Sequence, residues 1–279
     1  MAAISRRLAM QLLLDPLSFK VPNARDATGA PPTPLISIHD SASHCQTCCT
    51  REHCLPLALT SDQLKQFDGL ITKRIRLRKN DALFRTGDAF SALYSIRYGS
   101  VKTTILTEDG WEQISGYHIL GEIIGFDGIA THIHGVGATA LEDTEVCALP
   151  FMSIEGLSRT LPVLQHNLHQ LMSKEIGRDQ NMMFILGSMN AEQRLAAFLL
   201  NLASRYRSRG YSSTEFTLRL TREELGSYLG LKLETVSRMF SRFQAEGIVQ
   251  AQGRSVKLLD SGALKRITER NRAVPELAC

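Results

Sequence analysis

The spacing of hydrophobic positions divides the chain into three successive regions. The pattern of the first region is typical of β-strands. From about residue 65 to 150, short apolar runs alternate with polar positions. Glycines interrupt these runs every 11 or 12 residues, at Gly87, Gly99, Gly110 and Gly121. Such alternation with regularly spaced turn residues is typical of a small antiparallel barrel or sandwich. Asp109-Gly110 predicts a hairpin turn within it.

The second region has a helical pattern and begins near Pro162. Apolar residues then recur every three or four positions to about residue 189, which predicts one long helix with a coiled-coil-like stripe. Ile176 lies in this stripe, and Asp179 is its charged exception. A second helix is predicted to start after the N-cap candidate Asn190 and to end near Gly210.

The third region is predicted to contain two helices around a tight turn at Gly230. Thr221 and Glu224 have the T-x-x-E spacing of a capping box at the start of the first helix. The second helix has an apolar face and a polar face. The apolar face holds Val236, Phe240 and Phe243, and the polar face holds Glu234, Ser237, Arg238 and Ser241. Two short β runs follow around Gly253, so this segment predicts a winged helix-turn-helix.

Composition narrows the class of protein. The 279 residues, 43% hydrophobic and 22% charged, are typical of a soluble globular chain with about two domains. No apolar run approaches the roughly 20 residues that a membrane span requires, so no membrane association is expected. Residues 1–40 are predicted to form a flexible N-terminal extension, because "NARDATGAPPTPL" is rich in Pro, Gly, Ala and Thr.

The distribution of charge favours a polyanionic partner. The net charge is only +4, but residues 216–272 contain eleven basic and six acidic residues, a larger surplus than that of the whole chain. A local basic excess is what a phosphate-binding module requires. Glu234, Ser237 and Arg238 also suit the base edges of the DNA major groove. Glu234 and Arg238 have the spacing of an ordinary surface ion pair as well, and the preceding helix and turn favour DNA reading.

Four of the six cysteines lie in "HCQTCCTREHC", residues 44–54. Cys45, Cys48 and Cys54 form C-x2-C-x5-C, and residues this close can converge on one metal centre without a long loop closure. A tetrahedral or cubane site needs a fourth ligand, for which Cys147 is the candidate. Four thiolates are the usual holder of a [4Fe-4S] cluster, although structural zinc uses the same C-x2-C spacing. A disulfide framework is disfavoured in a chain that looks intracellular.

A family resemblance rests on the helix-turn-helix segment. "LTREELGSYLGLKLETVSRMFSRFQAEGIV" closely resembles the DNA-binding helices of the CRP/FNR family of bacterial transcription factors, and its E-x-x-S-R pattern is similar to the FNR branch. The resemblance extends over about residues 44–265. It implies an α+β fold with an N-terminal antiparallel β-barrel of the cyclic-nucleotide-binding jelly-roll type, a long dimerisation helix and a C-terminal winged helix-turn-helix. The corresponding divisions are 1–40, 41–160, 161–189 and 190–279.

The resemblance also implies an oxygen sensor. The FNR branch carries three N-terminal cysteines and one in the barrel, and it binds an oxygen-labile [4Fe-4S] cluster. Carried over residue by residue, the ligands are Cys45, Cys48, Cys54 and Cys147. Cys49 is then interpreted as a bystander, with substitution for a neighbouring ligand when the cluster rearranges as the alternative. Cys279 is expected to be a free thiol without a role. A regulator of the same fold that holds zinc or uses a thiol redox switch is the alternative.

The implied mechanism is a switch between monomer and homodimer. An intact cluster favours pairing of the long helices, with Ile176 and Asp179 at the switch, because facing Asp179 side chains would repel by roughly 1–4 kcal/mol. The dimer is expected to bind double-stranded DNA at TTGAT-type palindromes without oxygen. Barrel loops such as 107–111 are expected to contact RNA polymerase. We expect a bacterial cytoplasmic regulator that controls anaerobic metabolism genes, and not an enzyme, since no acid/base constellation is present.

Two positions depart from the patterns of the superfamily. Lys232 stands where the family usually has a Ser or Thr N-cap. Either the recognition helix loses a cap worth about 1 kcal/mol, or Lys232 contacts a DNA phosphate. Gly121-Glu122 is similar to the start of a cyclic-nucleotide site. The later stretch "ATHIHGVGA", with His132 and His134, lacks the Arg-Ser clamp that would bind the phosphate. No cyclic nucleotide is therefore expected.

Overall fold

The structure is a computed structural model that describes residues 37–38, 45–71, 73–107 and 110–269. The predicted extension over residues 1–40 lies outside this part of the chain except for Ser37–Ile38. Asp109 and Cys279 also lie outside it.

Two antiparallel sheets form the predicted barrel. Its strands are β1 (Ser37–Ile38), β2 (Lys73–Leu77), β3 (Ala82–Phe84), β4 (Ala92–Tyr98), β5 (Ser100–Leu106), β6 (Glu112–Ile119), β7 (Ile123–Ile124), β8 (Gly137–Ala140) and β9 (Thr144–Pro150). Sheet 1 has the order β1-β2-β9-β4-β7, and sheet 2 has the order β3-β8-β5-β6. Ile96, Val101 and Val146 are fully buried in the apolar core of the barrel. The four turn glycines all have positive φ, as turns of this kind require.

A short helical segment covers sheet 1 from outside. Residues 45–59 form two 3-10 turns and a further turn, and α1 (Ser61–Asp68) follows with a capping box between Thr60 and Gln63. Leu55 and Phe67 are fully buried and pack in one cluster with Leu93 and Leu149 of the sheet. The apolar pattern alone predicts no helix here, so α1 is a difference from the expected β region. Its capping box is the local signal that marks it.

The long helix is confirmed. After the short α2 (Phe151–Ser158), α3 runs over Pro162–Ser188, a length of about 40 Å. Its first half packs on the barrel side, where Leu164 and Leu168 are buried. Its second half leaves Ile176 57% and Met183 65% exposed. The apolar stripe is therefore buried in its first half and partly exposed in its second half.

The C-terminal part is a winged helix-turn-helix. It contains α4 (Ala191–Ser208), β10 (Glu215–Thr217), α5 (Arg222–Leu229), α6 (Leu233–Ala245), β11 (Val249–Gln252), β12 (Ser255–Leu258) and α7 (Ser261–Glu269). Capping boxes at Asn190 and Thr221 confirm both predicted helix starts. The wing strands β11 and β12 are joined through Gly253, which has positive φ. Strand β10 and helix α7 are additions that the apolar pattern does not predict.

The helix-turn-helix packs directly on sheet 2. Tyr117 and Ile119 of β6 share one apolar cluster with Leu199 of α4. Lys102 of β5 forms an ion pair of 2.9 Å with Glu224 of α5. At the free edge of β6, the Ile114 backbone N–H donates to Ser227 Oγ at 3.0 Å. The barrel and the C-terminal part therefore share a packed interface.

Candidate metal centre and nucleic-acid interface

Cys147 lies near the middle of β9, in the centre of sheet 1. Its cross-strand neighbours are Arg74 on β2 and Ser95 on β4. Residues 45–54 lie over this face of the sheet. Cys45, Cys48, Cys54 and Cys147 consequently line one cleft, which we call the thiol cleft. The exposed Cys49 is not among its lining residues.

Hydrogen bonds fix the cysteine segment within itself, to helix α1 and to sheet 1. Cys54 Sγ lies 3.2 Å from Ser95 Oγ, and Cys48 Sγ lies 3.2 Å from Thr50 Oγ1. The Cys45 backbone N–H donates to Asp68 Oδ1 at 2.8 Å. All five cysteines of the described residues are free thiols. The cleft is thus built from reduced sulfur on two chain segments that are far apart in sequence.

The electrostatics of the thiol cleft disfavour thiolates in the absence of added positive charge. Burial raises the pKa of Cys54 to about 12, although the hydrogen bond from Ser95 opposes it. Burial also raises the pKa of Cys45, and the nearby Asp68 and the other thiols add to this. The pKa of Cys147 rises through burial as well, with Arg74 acting in the opposite direction. A cationic iron centre would reverse this balance, so the donor set fits such a group.

The arrangement of the sulfurs bears on which metal group fits. Zinc holds its ligands about 2.0–2.3 Å from a single ion. Among the described residues, no three Cys, His, Asp or Glu side chains gather closely enough to hold one ion. In a [4Fe-4S] cluster each thiolate binds a different iron atom, so its ligands surround a volume and do not meet at a point. Four thiols around one cleft are the donor set of a [4Fe-4S] cluster, and structural zinc uses the same ligands.

The two candidate dimer residues lie on the exposed half of α3. Ile176 and Asp179 are both exposed. Partial burial raises the pKa of Asp179, and the neighbouring Arg178 acts against that shift. Together with Met183, they continue the stripe at spacings of three and four residues, so this face has the pattern of a helix seam.

The candidate base-reading residues lie on the outer face of α6. Glu234, Ser237 and Arg238 are exposed, and Val236 and Phe243 on the opposite face are fully buried. The N-cap residue Lys232 makes no side-chain capping hydrogen bond, as its sequence position predicts. A Cβ added at Gly226 in α5 would lie 2.6 Å from the Leu231 carbonyl oxygen. Glycine there lets the turn pack tightly against α5.

Comparisons with known proteins agree with this architecture. A model of the cyclic nucleotide-binding domain matches residues 74–160, and a model of the Crp-like helix-turn-helix domain matches residues 193–267. The transcriptional activator protein anr of Pseudomonas aeruginosa is 44% identical, over 78% of this chain and 90% of its own. The chain belongs to the CRP/FNR family of transcription regulators. The family consists of DNA-binding regulators that act as dimers, and not of enzymes.

Other members of the CRP/FNR family match over similar lengths. The anaerobic regulatory protein of Haemophilus influenzae is 41% identical, over 83% of this chain and 90% of its own. The fumarate and nitrate reduction regulatory protein of Salmonella typhimurium is also 41% identical, over 84% and 93%. The solved structure of FixK2 from Bradyrhizobium japonicum has a TM-score of 0.63 at 27% identity, covering 70% of this chain and 96% of FixK2. No described helix is both long and apolar enough to cross a membrane.

In this CRP/FNR chain, Glu122 stands at the position where a cyclic-nucleotide site would start, and it binds arginine side chains of the protein. Glu122 is 6% exposed and binds guanidinium groups from α3 and α4. Its carboxylate accepts from Arg205 at 2.6 and 2.9 Å and from Arg209 at 2.9 Å, and it lies 3.4 Å from Arg178. We call these four residues the arginine cage. Sequence patterns miss it, because its members lie up to 87 residues apart.

The loop that lacks the phosphate clamp is filled by the protein itself. His134 is buried and stacks on Phe84, with ring centroids 3.7 Å apart. Asp127 accepts hydrogen bonds from the backbone N–H groups of Gly135 at 2.8 Å and Val136 at 3.3 Å. His132, by contrast, is exposed and has positive φ. Asp127 and His134 therefore make their contacts within the protein at this loop.

Proposed function

We propose that this CRP/FNR regulator controls transcription of anaerobic metabolism genes and senses oxygen through a [4Fe-4S] cluster held by Cys45, Cys48, Cys54 and Cys147. The observation that carries the proposal is the thiol cleft, which brings together thiols that lie nearly a hundred residues apart. The relatives named for anaerobic regulation and for fumarate and nitrate reduction support the physiological role. The regulator is proposed to act in the bacterial cytoplasm.

The residues of the cleft have two tasks in this proposal. The four thiolates would hold the cluster, and the cluster would supply iron that oxygen can oxidise. Ser95 and Thr50 hydrogen-bond to two of the sulfurs and orient them. Arg97, which pairs with Glu145 at 2.5 Å, lines the cleft and adds positive charge near the sulfurs. Without the bound group, only hydrogen bonds and apolar contacts would hold residues 45–54 in place.

Dimerisation is proposed to be the step that this docking controls. The exposed stripe of α3 offers Ile176 and Met183 to a second copy of the chain, and it also brings two Asp179 carboxylates together. Their repulsion of roughly 1–4 kcal/mol keeps pairing marginal. A docking contribution of a few kcal/mol is then enough to move the equilibrium. The homodimer forms when the cluster is intact, and oxygen releases it.

DNA reading follows from pairing. Two copies of α6 must lie about 34 Å apart to enter successive major grooves. Arg238 is proposed to bind guanine, Glu234 cytosine and Ser237 a neighbouring base of a TTGAT half-site. Trp111, in the loop over residues 107–111, is exposed and suits a contact with RNA polymerase. A cyclic nucleotide has no role, because Asp127 and His134 occupy the clamp region. The divisions at residues 40, 160 and 189 are retained in this proposal.

Metal analysis of anaerobically purified protein tests the proposal. We expect brown protein with iron and acid-labile sulfide near four of each per chain. Cys147→Ser should lose both, and the matched variant Cys49→Ser should keep both, because Cys49 does not line the cleft. DNA binding should follow iron content across these proteins. Colourless, zinc-loaded wild-type protein that binds DNA fully would refute the cluster and favour the zinc alternative.

A further inference from the structure

Asn167 is a buried polar residue within an apolar cluster. It lies on α3 between the buried positions Leu164 and Leu168 and is 6% exposed. Its side-chain Nδ2 donates two hydrogen bonds, to the Leu55 carbonyl oxygen at 3.0 Å and to the Leu57 carbonyl oxygen at 2.6 Å. A buried amide among leucines is unfavourable without such partners. Its position is therefore fixed by the backbone of the turn that it binds.

That turn begins next to a proposed cluster ligand. Leu55 directly follows Cys54, whose sulfur lies in the thiol cleft. The two carbonyl groups belong to a turn that is neither helix nor strand. Their orientation therefore depends on how the Cys54 segment is held. Asn167 therefore contacts the backbone that directly follows Cys54.

The other end of the connection is the dimer stripe. Ile176 and Asp179 follow Asn167 by nine and twelve residues on the same uninterrupted helix, about 14 and 18 Å along its axis. Apolar contacts of Leu55 and Leu164 also join the segment to α3, but such contacts are non-directional. The two hydrogen bonds of Asn167 are directional and restrain the rotation and axial position of the first half of the helix, whose second half is also tied to the barrel by Arg178 and Glu122.

We infer that Asn167 couples the state of the thiol cleft to the dimerisation surface of α3. The inference rests on the proposed function. With residues 45–54 docked, Asn167 holds α3 in the position in which Ile176 and Asp179 face a second chain. When the segment is released, the two carbonyl acceptors leave and the helix loses this restraint. Asn167 is a positioning residue and touches neither the cluster nor the partner chain.

The test measures iron content and self-association together. Asn167→Leu keeps the approximate size but removes the donor, and Asn167→Asp keeps the shape but places a carboxyl group against two carbonyls. Gln170→Leu is the matched control, one turn later on the exposed side of α3. For each full-length protein, iron and sulfide are assayed, and dimer dissociation constants are measured by anaerobic sedimentation before and after exposure to oxygen.

We expect both Asn167 variants to keep the iron content of the wild type and to dimerise at least about fivefold more weakly in the iron-loaded form. Their response of dimerisation to oxygen should shrink, and Gln170→Leu should behave as the wild type does. In a background of Asp179→Ala, the Asn167→Leu variant should dimerise again but without an oxygen response. A merely structural asparagine would not produce that pattern.

Contrary outcomes separate the inference from the proposed function. A wild-type protein without iron would refute both the coupling through Asn167 and the proposed function. An iron-loaded wild type with oxygen-dependent dimerisation, matched by the same response in the Asn167 variants, would overturn the coupling alone. Loss of iron from Asn167→Leu and Asn167→Asp in step with dimerisation would also overturn it, because Asn167 would then only support ligand binding. If Asn167→Leu fails to fold, the same readings on Asn167→Asp decide.

Discussion

Replacing Glu122 by Gln should destabilise the protein by about 3 kcal/mol at neutral pH. The substitution keeps the shape of the side chain and removes the negative charge that all three guanidinium groups share, while Arg178 keeps its ion pair of 2.9 Å with Glu175. Because Glu122 is buried, little solvent screens the loss. Breaking a buried ion pair by removing one partner typically costs about 3–5 kcal/mol, since the other charges stay buried without compensation.

The pKa of Glu122 gives a second way to derive the size of this loss of stability. Burial raises the pKa of this carboxyl, but Arg205, Arg178 and Arg209 outweigh it and lower the pKa from 4.5 to about 2. The ionised form is thus favoured in the folded state. The difference between the two values corresponds to roughly 3 kcal/mol. That contribution is complete above pH 4.5 and is lost as the pH falls through 2.

Denaturant unfolding, followed by far-ultraviolet circular dichroism at several pH values, checks both numbers. The groups that face Glu122 are Arg205 and Arg209 of α4, Arg178 and Glu175 of α3 and His118 of β6. Burial lowers the pKa of His118 to about 3 and Glu122 opposes that shift, so the pKa of His118 should fall further in Glu122→Gln. The gap between wild type and Glu122→Gln should be about 3 kcal/mol at pH 7 and should narrow below pH 4.5.

A matched control comes from an exposed ion pair. Asp62→Asn removes the partner of Lys65, and both side chains are more than 70% exposed, so a change below about 1 kcal/mol is expected. Equal stability of Glu122→Gln and wild type at pH 7 would refute the reasoning. A gap that stays constant in acid would also contradict it, because the loss would then not come from charge.

Three further changes test the seam and the recognition helix. Asp179→Ala should increase dimerisation and DNA binding in air, by up to the roughly 1–4 kcal/mol of carboxylate repulsion; an unchanged sedimentation profile would remove Asp179 from the mechanism. Lys232→Ser should supply the missing N-cap and raise the unfolding free energy by about 1 kcal/mol, and an unchanged salt dependence of DNA binding would exclude a phosphate contact by Lys232. Gly226→Ala should push a methyl group against the Leu231 carbonyl and lower stability by about 1–3 kcal/mol with iron content unchanged; unchanged melting and DNA affinity would contradict this.

Local sequence signals predicted the parts of the fold that local interactions determine. The long helix, the capping boxes at Asn190 and Thr221 and the buried face of α6 are set by residues three or four positions apart, and all are confirmed. Helices α1 and α7 and strand β10 are short. They are stabilised by packing on distant residues, so the apolar pattern leaves them out.

The candidate site divides in the same way. The spacing of Cys45, Cys48 and Cys54 made their proximity predictable, whereas the position of Cys147 beside them depends on β9 lying in the centre of sheet 1. The arginine cage and Asn167 join groups more than 80 residues apart. No periodicity carries information of that kind, because the strand order and the helix docking bring these residues together.

The edge of sheet 2 has a consequence for the folding of the barrel on its own. β6 is an edge strand, and an uncovered edge offers unpaired backbone groups to other chains. In the intact protein, α5 covers it, with Ser227 Oγ accepting from the Ile114 N–H and the Ser227 carbonyl accepting from Gln113 Nε2 at 3.2 Å. By covering β6, the DNA-binding part thus also protects the barrel from strand-to-strand aggregation. A barrel truncated before α4 would need a new charge or proline on β6 to stay monomeric.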